Sequence, residues 1–210
     1  MDETKFARGG LLGGVGFAVL SVVATMIAGA PPEVTDDKGI IKYVAENQDA
    51  LKIGSYLNGL AAVLFLWFLG SLYSRLRAAE GGTGRLSRVA LTGAIVAIAV
   101  SAVANAIMAY HAIHPGFDAP GAYKLVSVIL GYTAFAAAVF TSATAVALWS
   151  TNTLPKWFAY AGEAIAVLWL LAGAAVSSER DIVFVFGFVA FVAFSIWIAL
   201  LSVMLYRKEA

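Results

Sequence analysis

Two small groups of residues in this chain have the types and spacing to do chemistry. The first centres on Glu163, within the stretch Trp157-Phe-Ala-Tyr-Ala-Gly-Glu-Ala-Ile-Ala-Val-Leu-Trp-Leu-Leu. No other Asp, Glu, Lys or Arg falls well inside a long apolar run. A carboxylate in hydrocarbon costs a few kcal/mol or more, so it needs a partner, a proton or a purpose. At 1.5 Å per residue, Glu163 sits about 9 Å beyond Trp157. Counting back from Ser150 along the preceding apolar run brings Thr141, Ser142 and Thr144 to a similar depth. Their hydroxyls can donate to a carboxylate or accept from a protonated acid. Such a cluster suits a proton-coupled or cation-binding site. It equally suits a structural hydrogen bond between helices, or an acid whose side chain reaches back to the interface.

The second group is Tyr110-His-Ala-Ile-His-Pro115, with His111 and His114 three residues apart on one helical face. A pair at that spacing can hold a metal or offer an axial ligand to haem. No Asp, Glu or Cys adjoins them, and Pro115 ends the helix at once, so they are expected to be solvated rather than ligating. Asn58 and Asn105 fall in the same halves of their runs, and the four residues together outline a candidate polar pocket. Neither a metal nor a cofactor is expected.

Other chemistries lack their residues. The chain has no cysteine, which removes disulfides, thiolate metal sites and cysteine nucleophiles. Gly81-Gly-Thr-Gly84 has neither the lysine nor the strand–loop–helix setting of a phosphate loop, and no zinc-binding His-Glu motif or nucleophile elbow occurs. An enzyme would bring several ionisable groups to one depth, so catalysis is not expected. A net charge of +1 argues against nucleic acid as a partner.

The elements that must position these groups belong to a membrane. Of 210 residues, 61% are hydrophobic and 13% charged, far from the roughly even and one-quarter shares of soluble domains. Six apolar runs, at 11–30, 53–74, 89–112, 125–150, 157–176 and 182–206, are each long enough to cross a ~30 Å hydrocarbon core. The expected architecture is an all-α transmembrane bundle of six spans, forming one domain over residues 1–210. Ala28-Gly29-Ala30 imitates a signal-peptidase site, but the run before it is longer than a signal segment needs, so it reads as a retained first helix. Gly9, Gly10, Gly13 and Gly14 give that helix a close-packing face, where a contact between copies would be sought. Pro31 and Pro32 stop it. Asp36-Asp37 then caps a short amphipathic segment, 38–50, expected to rest on the membrane surface as a connector rather than to act as a lid.

Orientation follows from the cations. With the N-terminus in the cytoplasm, inner segments hold Lys5, Arg8, Arg75, Arg77, Arg85, Arg88, Lys156, Arg207 and Lys208, and outer segments hold Lys38, Lys42, Lys52, Lys124 and Arg180. That bias puts both termini in the cytoplasm. The arginines around Glu80-Gly81-Gly82 are expected to enforce topology more than to bind anionic lipid.

Three stretches carry a family likeness. They are Leu57-Asn-Gly-Leu-Ala-Ala-Val-Leu-Phe-Leu-Trp-Phe-Leu-Gly-Ser-Leu, Arg75-Leu-Arg-Ala-Ala-Glu-Gly-Gly-Thr-Gly-Arg-Leu-Ser-Arg88 and Thr153-Leu-Pro-Lys-Trp157. Together they resemble a group of uncharacterised bacterial integral membrane proteins defined by a domain of unknown function. The resemblance implies a six-helix bundle in the cytoplasmic (inner) membrane and brings no catalytic or binding residues with it. Two classes of function remain open. One is a bundle that holds a lipid or other apolar ligand, or packs as an accessory subunit against a larger membrane complex. The other is a small proton-linked transporter that uses Glu163.

Overall fold

The computed structural model describes residues 9–114, 118–177 and 181–208, and every regular element among them is helical. The helices are α1 (Gly13–Ala28), α2 (Asp37–Glu46), α3 (Gln48–Glu80), α4 (Arg85–Ile113), α5 (Ala119–Ser150), α6 (Lys156–Ala172) and α7 (Asp181–Arg207). A 3-10 turn, Gly173–Val176, continues α6. Lys5, Arg8, Pro115 and Arg180 lie outside the described residues.

Five helical stretches are long and apolar enough to cross a membrane: Gly9–Ala28, Gln48–Glu80, Arg85–Ile113, Ala119–Ser150 and Val185–Arg207. The expected fifth span, α6, stops at 17 residues. Its end coincides with Gly173, against which the Phe135 ring packs closely enough that a Cβ would lie 2.8 Å from two ring atoms. Glycine there removes the side chain that would hold the ring off and weakens the helix. The backbone then tightens into the 3-10 form. Helices α3 and α5 run well past the apolar stretches read from the sequence, because polar residues continue a helix beyond the hydrocarbon. Asp118 starts α5 early by accepting from Gly121 N at 3.0 Å.

Successive helices are antiparallel, and side chains fix their register. Gly10, just ahead of α1, and Gly13 of α1 meet Ser71 and Leu64 of α3, and Asn58 of α3 meets Asn105 of α4. Gly93 of α4 sits on the backbone of Phe140 in α5, and Gly173, just past α6, sits on Phe135 of α5. Phe158 of α6 stacks on Trp197 of α7. Ser202 of α7 then donates to the Leu11 carbonyl just ahead of α1. That last contact closes the chain into a ring of six helices, α1–α3–α4–α5–α6–α7, with α7 returning to α1. Gly10, Gly13 and Gly14 are therefore spent inside the molecule, against α3 and α7, while Gly9 stays open. Gly13 shows why glycine is needed: a Cβ there would run into the Leu64 carbonyl oxygen and stand 3.3 Å from Phe68 N.

The ring is solid at one end and hollow at the other. At the end carrying the 81–84 and 151–155 connections, Leu11, Phe68, Leu72, Leu148, Phe158 and Leu201 form a continuous buried core. The 81–84 connection is itself ordered by the residues the sequence marked as topological. Arg77 donates to the carbonyls of Gly82 (2.7 Å) and Gly81 (3.3 Å), and Arg88 to that of Thr83 (2.6 Å). Glu80 caps α4 by accepting from Leu86 N and Ser87 N at 3.0 and 2.6 Å.

Helix α2 marks the opposite end. Its cap is as expected, with Asp36 accepting from Gly39 N at 2.9 Å, but its seat is not. Ile40 and Val44 are 0% and 2% exposed, packed against Leu51, Ala112 and Ala119 at the ends of α3, α4 and α5. Its apolar face is thus buried in protein instead of resting on a membrane surface. Tyr43 donates to the Ala28 carbonyl at 2.8 Å, Tyr123 donates to that of Pro32 at 3.3 Å, and Lys124 pairs with Asp37 at 2.9 Å. Burial holds the Tyr43 phenol above its ordinary value, which keeps it a donor.

Candidate functional site

Glu163 lies on α6 with its side chain half-buried in the seam with α5. Ser142 Oγ is 3.1 Å from Glu163 Oε1 and 3.0 Å from Oε2, so the hydroxyl bridges the carboxyl group. Depth counting had brought three hydroxyls to this level, and rotation about the helix separates them. A step of one residue turns the side chain by about 100°. Thr141, fully buried, donates instead to the Ala137 carbonyl of its own helix at 2.7 Å. Thr144 is fully buried too, and its Oγ1 has no hydrogen-bond partner. Neighbouring Gly162 lets α6 approach Ala145 and Trp197, where a Cβ would be 2.8 and 2.9 Å from the nearest atoms. The seam is tight, and the Ser142–Glu163 contact crosses it.

This arrangement predicts a modest effect of charge removal. Glu163→Gln retains an acceptor for Ser142 and is expected to shift unfolding by no more than about 1 kcal/mol, the usual net worth of one such bond. Thermal unfolding of the purified protein in detergent checks this; a loss of several kcal/mol would mean the charge itself anchors the seam.

The second predicted group is divided. Asn58 Nδ2 donates to Asn105 Oδ1 at 3.3 Å across α3 and α4, and Asn105 Nδ2 donates to the Ser101 carbonyl at 3.0 Å. The histidines stand apart from them. His111 is 6% exposed, with Nδ1 2.9 Å from the Ile107 carbonyl. His114 is exposed, with Nδ1 3.1 Å from the Tyr110 carbonyl and its ring stacked on Tyr110 at 4.5 Å. The expectation that both are solvated fails for His111, whose position faces the packed ends of the helices. Among the described residues, no group of three His, Cys, Asp or Glu gathers to hold a metal.

The asparagine pair opens onto a feature that the sequence did not disclose. A cavity of about 880 Å³ occupies the α2 end of the ring, lined by residues of α1, α3, α4, α5, α6 and α7. Neither histidine lines it, and neither do Glu163, Thr141, Ser142 or Thr144. Its floor is aromatic: Phe17, Phe65, Phe140, Phe191, Phe194 and Trp169. The rings of Phe17 and Phe65 lie 4.6 Å apart, Phe65 and Phe140 5.7 Å, Phe140 and Phe194 5.9 Å, and Trp169 and Phe194 5.8 Å. Offset and edge-on pairs of this kind hold one another in place. They form a partition between the hollow and solid halves.

Small residues create the space above it. Ala97, Ala102, Ala106 and Ala109 of α4 and Gly131 and Ala134 of α5 face the cavity. Gly59 of α3 also faces it, and a Cβ there would have nothing within 4 Å. Small residues normally draw membrane helices together. Ring closure prevents that collapse, because the aromatic partition props the opposite walls apart. Comparison with family models, curated proteins and solved structures finds no match. The cavity and the Ser142–Glu163 seam are therefore weighed on their geometry alone.

Proposed function

We propose that the chain is a six-span protein of the bacterial cytoplasmic membrane, with both termini in the cytoplasm, that binds a lipid or other apolar ligand in the central cavity. The cavity carries this reading. Its volume falls within the ~300–1,000 Å³ range of ligand sites, and its walls are mostly apolar with a few convergent polar groups. Continuous with its 3-10 turn, α6 reaches about 33 Å, enough for a sixth crossing of a ~30 Å core. The cation bias among inner and outer segments supports the orientation, and the resemblance of three stretches to a bacterial membrane family supports the location.

The test is a variant that fills the cavity without disturbing its walls. Gly59→Phe projects a ring into open space and is expected to remove co-purified lipid or apolar ligand seen by native mass spectrometry of wild type. Unfolding temperature should change little. Retention of the same ligand by a folded Gly59→Phe protein would defeat the reading.

A proton-linked transporter built on Glu163 is the second reading, favoured by the Ser142 bridge to a half-buried acid. Glu163 lies outside the cavity lining, so this reading lacks a path through the bundle. Flux assays in proteoliposomes with an imposed pH gradient separate the two: loss of pH-driven uptake in Glu163→Gln would support transport.

A further inference from the structure

On each of four helices lining the cavity, polar side chains stand above an apolar stretch. Along α1, Thr25 and Ser21 precede Phe17 in descent from the α2 end. Along α3, Lys52, Ser55 and Asn58 precede Ala62 and Phe65. On α4, Asn105 and Ser101 precede Ile98 and Ala94, with Ile113, Ala109 and Ala106 above them, and on α5, Ser127 and Thr133 precede Ala137 and Phe140. Hydroxyls, carboxamides and the single charged group thus form a collar, with alanine and aromatic rings beneath. Lys52 to Phe65 spans about 20 Å of helix, so the gradient runs along a deep slot rather than around a shallow bowl.

The collar also retains unused hydrogen-bonding capacity. The Asn58–Asn105 bond consumes one donor of Asn58 and the acceptor of Asn105. Asn58 Oδ1 accepts nothing in the structure and is not among the buried unpaired atoms, so it stays accessible beside the cavity. Among the described residues, Lys52 pairs only with exposed Asp49, at 3.1 Å. An exposed pair of that kind is weak and yields readily to another anion.

Resting on the reading of the cavity as a lipid site, we propose that its ligand is a single-chain amphiphile with an oxygen-bearing head, a fatty acid or its monoester. It binds head-up and tail-down. The head lies in the collar, where the carboxamides of Asn58 and Asn105 meet its carbonyl or hydroxyl oxygens and Lys52 stands at the rim. The hydrocarbon tail descends onto the partition formed by Phe65, Phe140 and Phe194. A reversed ligand would set its polar head among phenyl rings with only the Trp169 indole N–H, which has no partner, to receive it. Burying a head that needs several hydrogen bonds there is the costlier arrangement.

Trp169 is the reporter, because it lines the floor. The probes are hexadecanoic acid brominated on its terminal carbon, the same acid brominated beside the carboxyl, and the glycerol monoester of each. Bromine quenches indole fluorescence at short range. The Trp169 signal is the quenching of wild type in detergent that is lost in Trp169→Phe, a change that removes an unpaired N–H and retains an aromatic ring. Tail-down binding predicts several-fold stronger Trp169 quenching by terminal bromine than by bromine near the head. The acid and ester arms show which head the collar prefers, and Lys52→Met should weaken the acid alone.

Stronger quenching by the head-proximal bromine would overturn the orientation while leaving a lipid in the cavity. Equal quenching by the two probes, or quenching that survives in folded Gly59→Phe, would overturn the ordered slot. No Trp169-specific quenching by any probe would remove the amphiphile. If native mass spectrometry also finds no ligand lost from Gly59→Phe, the cavity reading falls as well.

Discussion

Gly13→Leu is expected to prevent stable assembly of the ring, and Gly13→Ala to destabilise it by about 2 kcal/mol, in the range for overpacking a well-fitted contact. The cause is local and severe. A Cβ at Gly13 meets a backbone carbonyl of α3, which has no rotamer to yield, so α1 must back away along much of its length. In lipid, helix association rests on close packing rather than on expulsion of water, so lost proximity is lost stability. Gly70→Ala is the matched control. Gly70 lies within α3 with nothing within 4 Å of the position a Cβ would take, and alanine there should gain about 0.5–1 kcal/mol from helix propensity. Opposite signs for two Gly→Ala changes, in detergent unfolding of the full chain, test the α1–α3 contact directly. Equal effects would refute it.

The second large effect is expected at Trp197. Its indole is 2% exposed, stacks on Phe158 at 5.3 Å and 12°, and donates from Nε1 to the Phe158 carbonyl at 3.1 Å. These contacts pin the start of α6 to α7. Trp197→Ala opens a void in the solid half and leaves the Phe158 carbonyl without its side-chain donor. A loss of about 3–4 kcal/mol is expected, toward the lower end of the range for aromatic truncation in cores because lipid supplies no water-transfer term. Trp197→Phe keeps a ring and removes the donor, and should cost about 1–2 kcal/mol. Chemical denaturation in mixed micelles distinguishes the pair; equal losses would show that the hydrogen bond, and not the packing, holds α6.

Much of this was legible in the chain, for identifiable reasons. Apolar run length placed five of the six expected spans, because hydrocarbon thickness and helical rise leave little freedom, and it overran α6, which stops at 17 residues. Depth counting brought Ser142 to Glu163, since both counts start from interfacial ends about equally far away. It failed for Thr141 and Thr144 because depth says nothing about rotation, and a side chain on the wrong face bonds its own helix or nothing. The Asn58–Asn105 pair was legible by the same counting. His111 and His114 flank Ile113, which lines the cavity, but neither is itself a lining residue, because depth says nothing about the face a residue occupies.

The cavity was hidden for a different reason. Alanine and glycine on α4 and α5 appear in sequence as packing residues, and at Gly93 that is what they are. Whether a small residue marks a contact or a void depends on the distance to the facing wall. That distance is set by α7 closing on α1 and by rings from five helices meeting at the partition. The seat of α2 was missed likewise: amphipathicity shows that Ile40 and Val44 need cover, but not whether lipid or protein provides it.

Ring closure also has a consequence for biosynthesis. The cavity has walls from every ring helix, yet α7 is synthesised long after α1, the helix it must find. Until then the nascent chain is an open arc, its aromatic partition lacking Phe194 and its hollow side continuous with the surrounding bilayer. An occupant gains its last wall only when α7 docks on α1, so loading of the cavity and closure of the ring become one event.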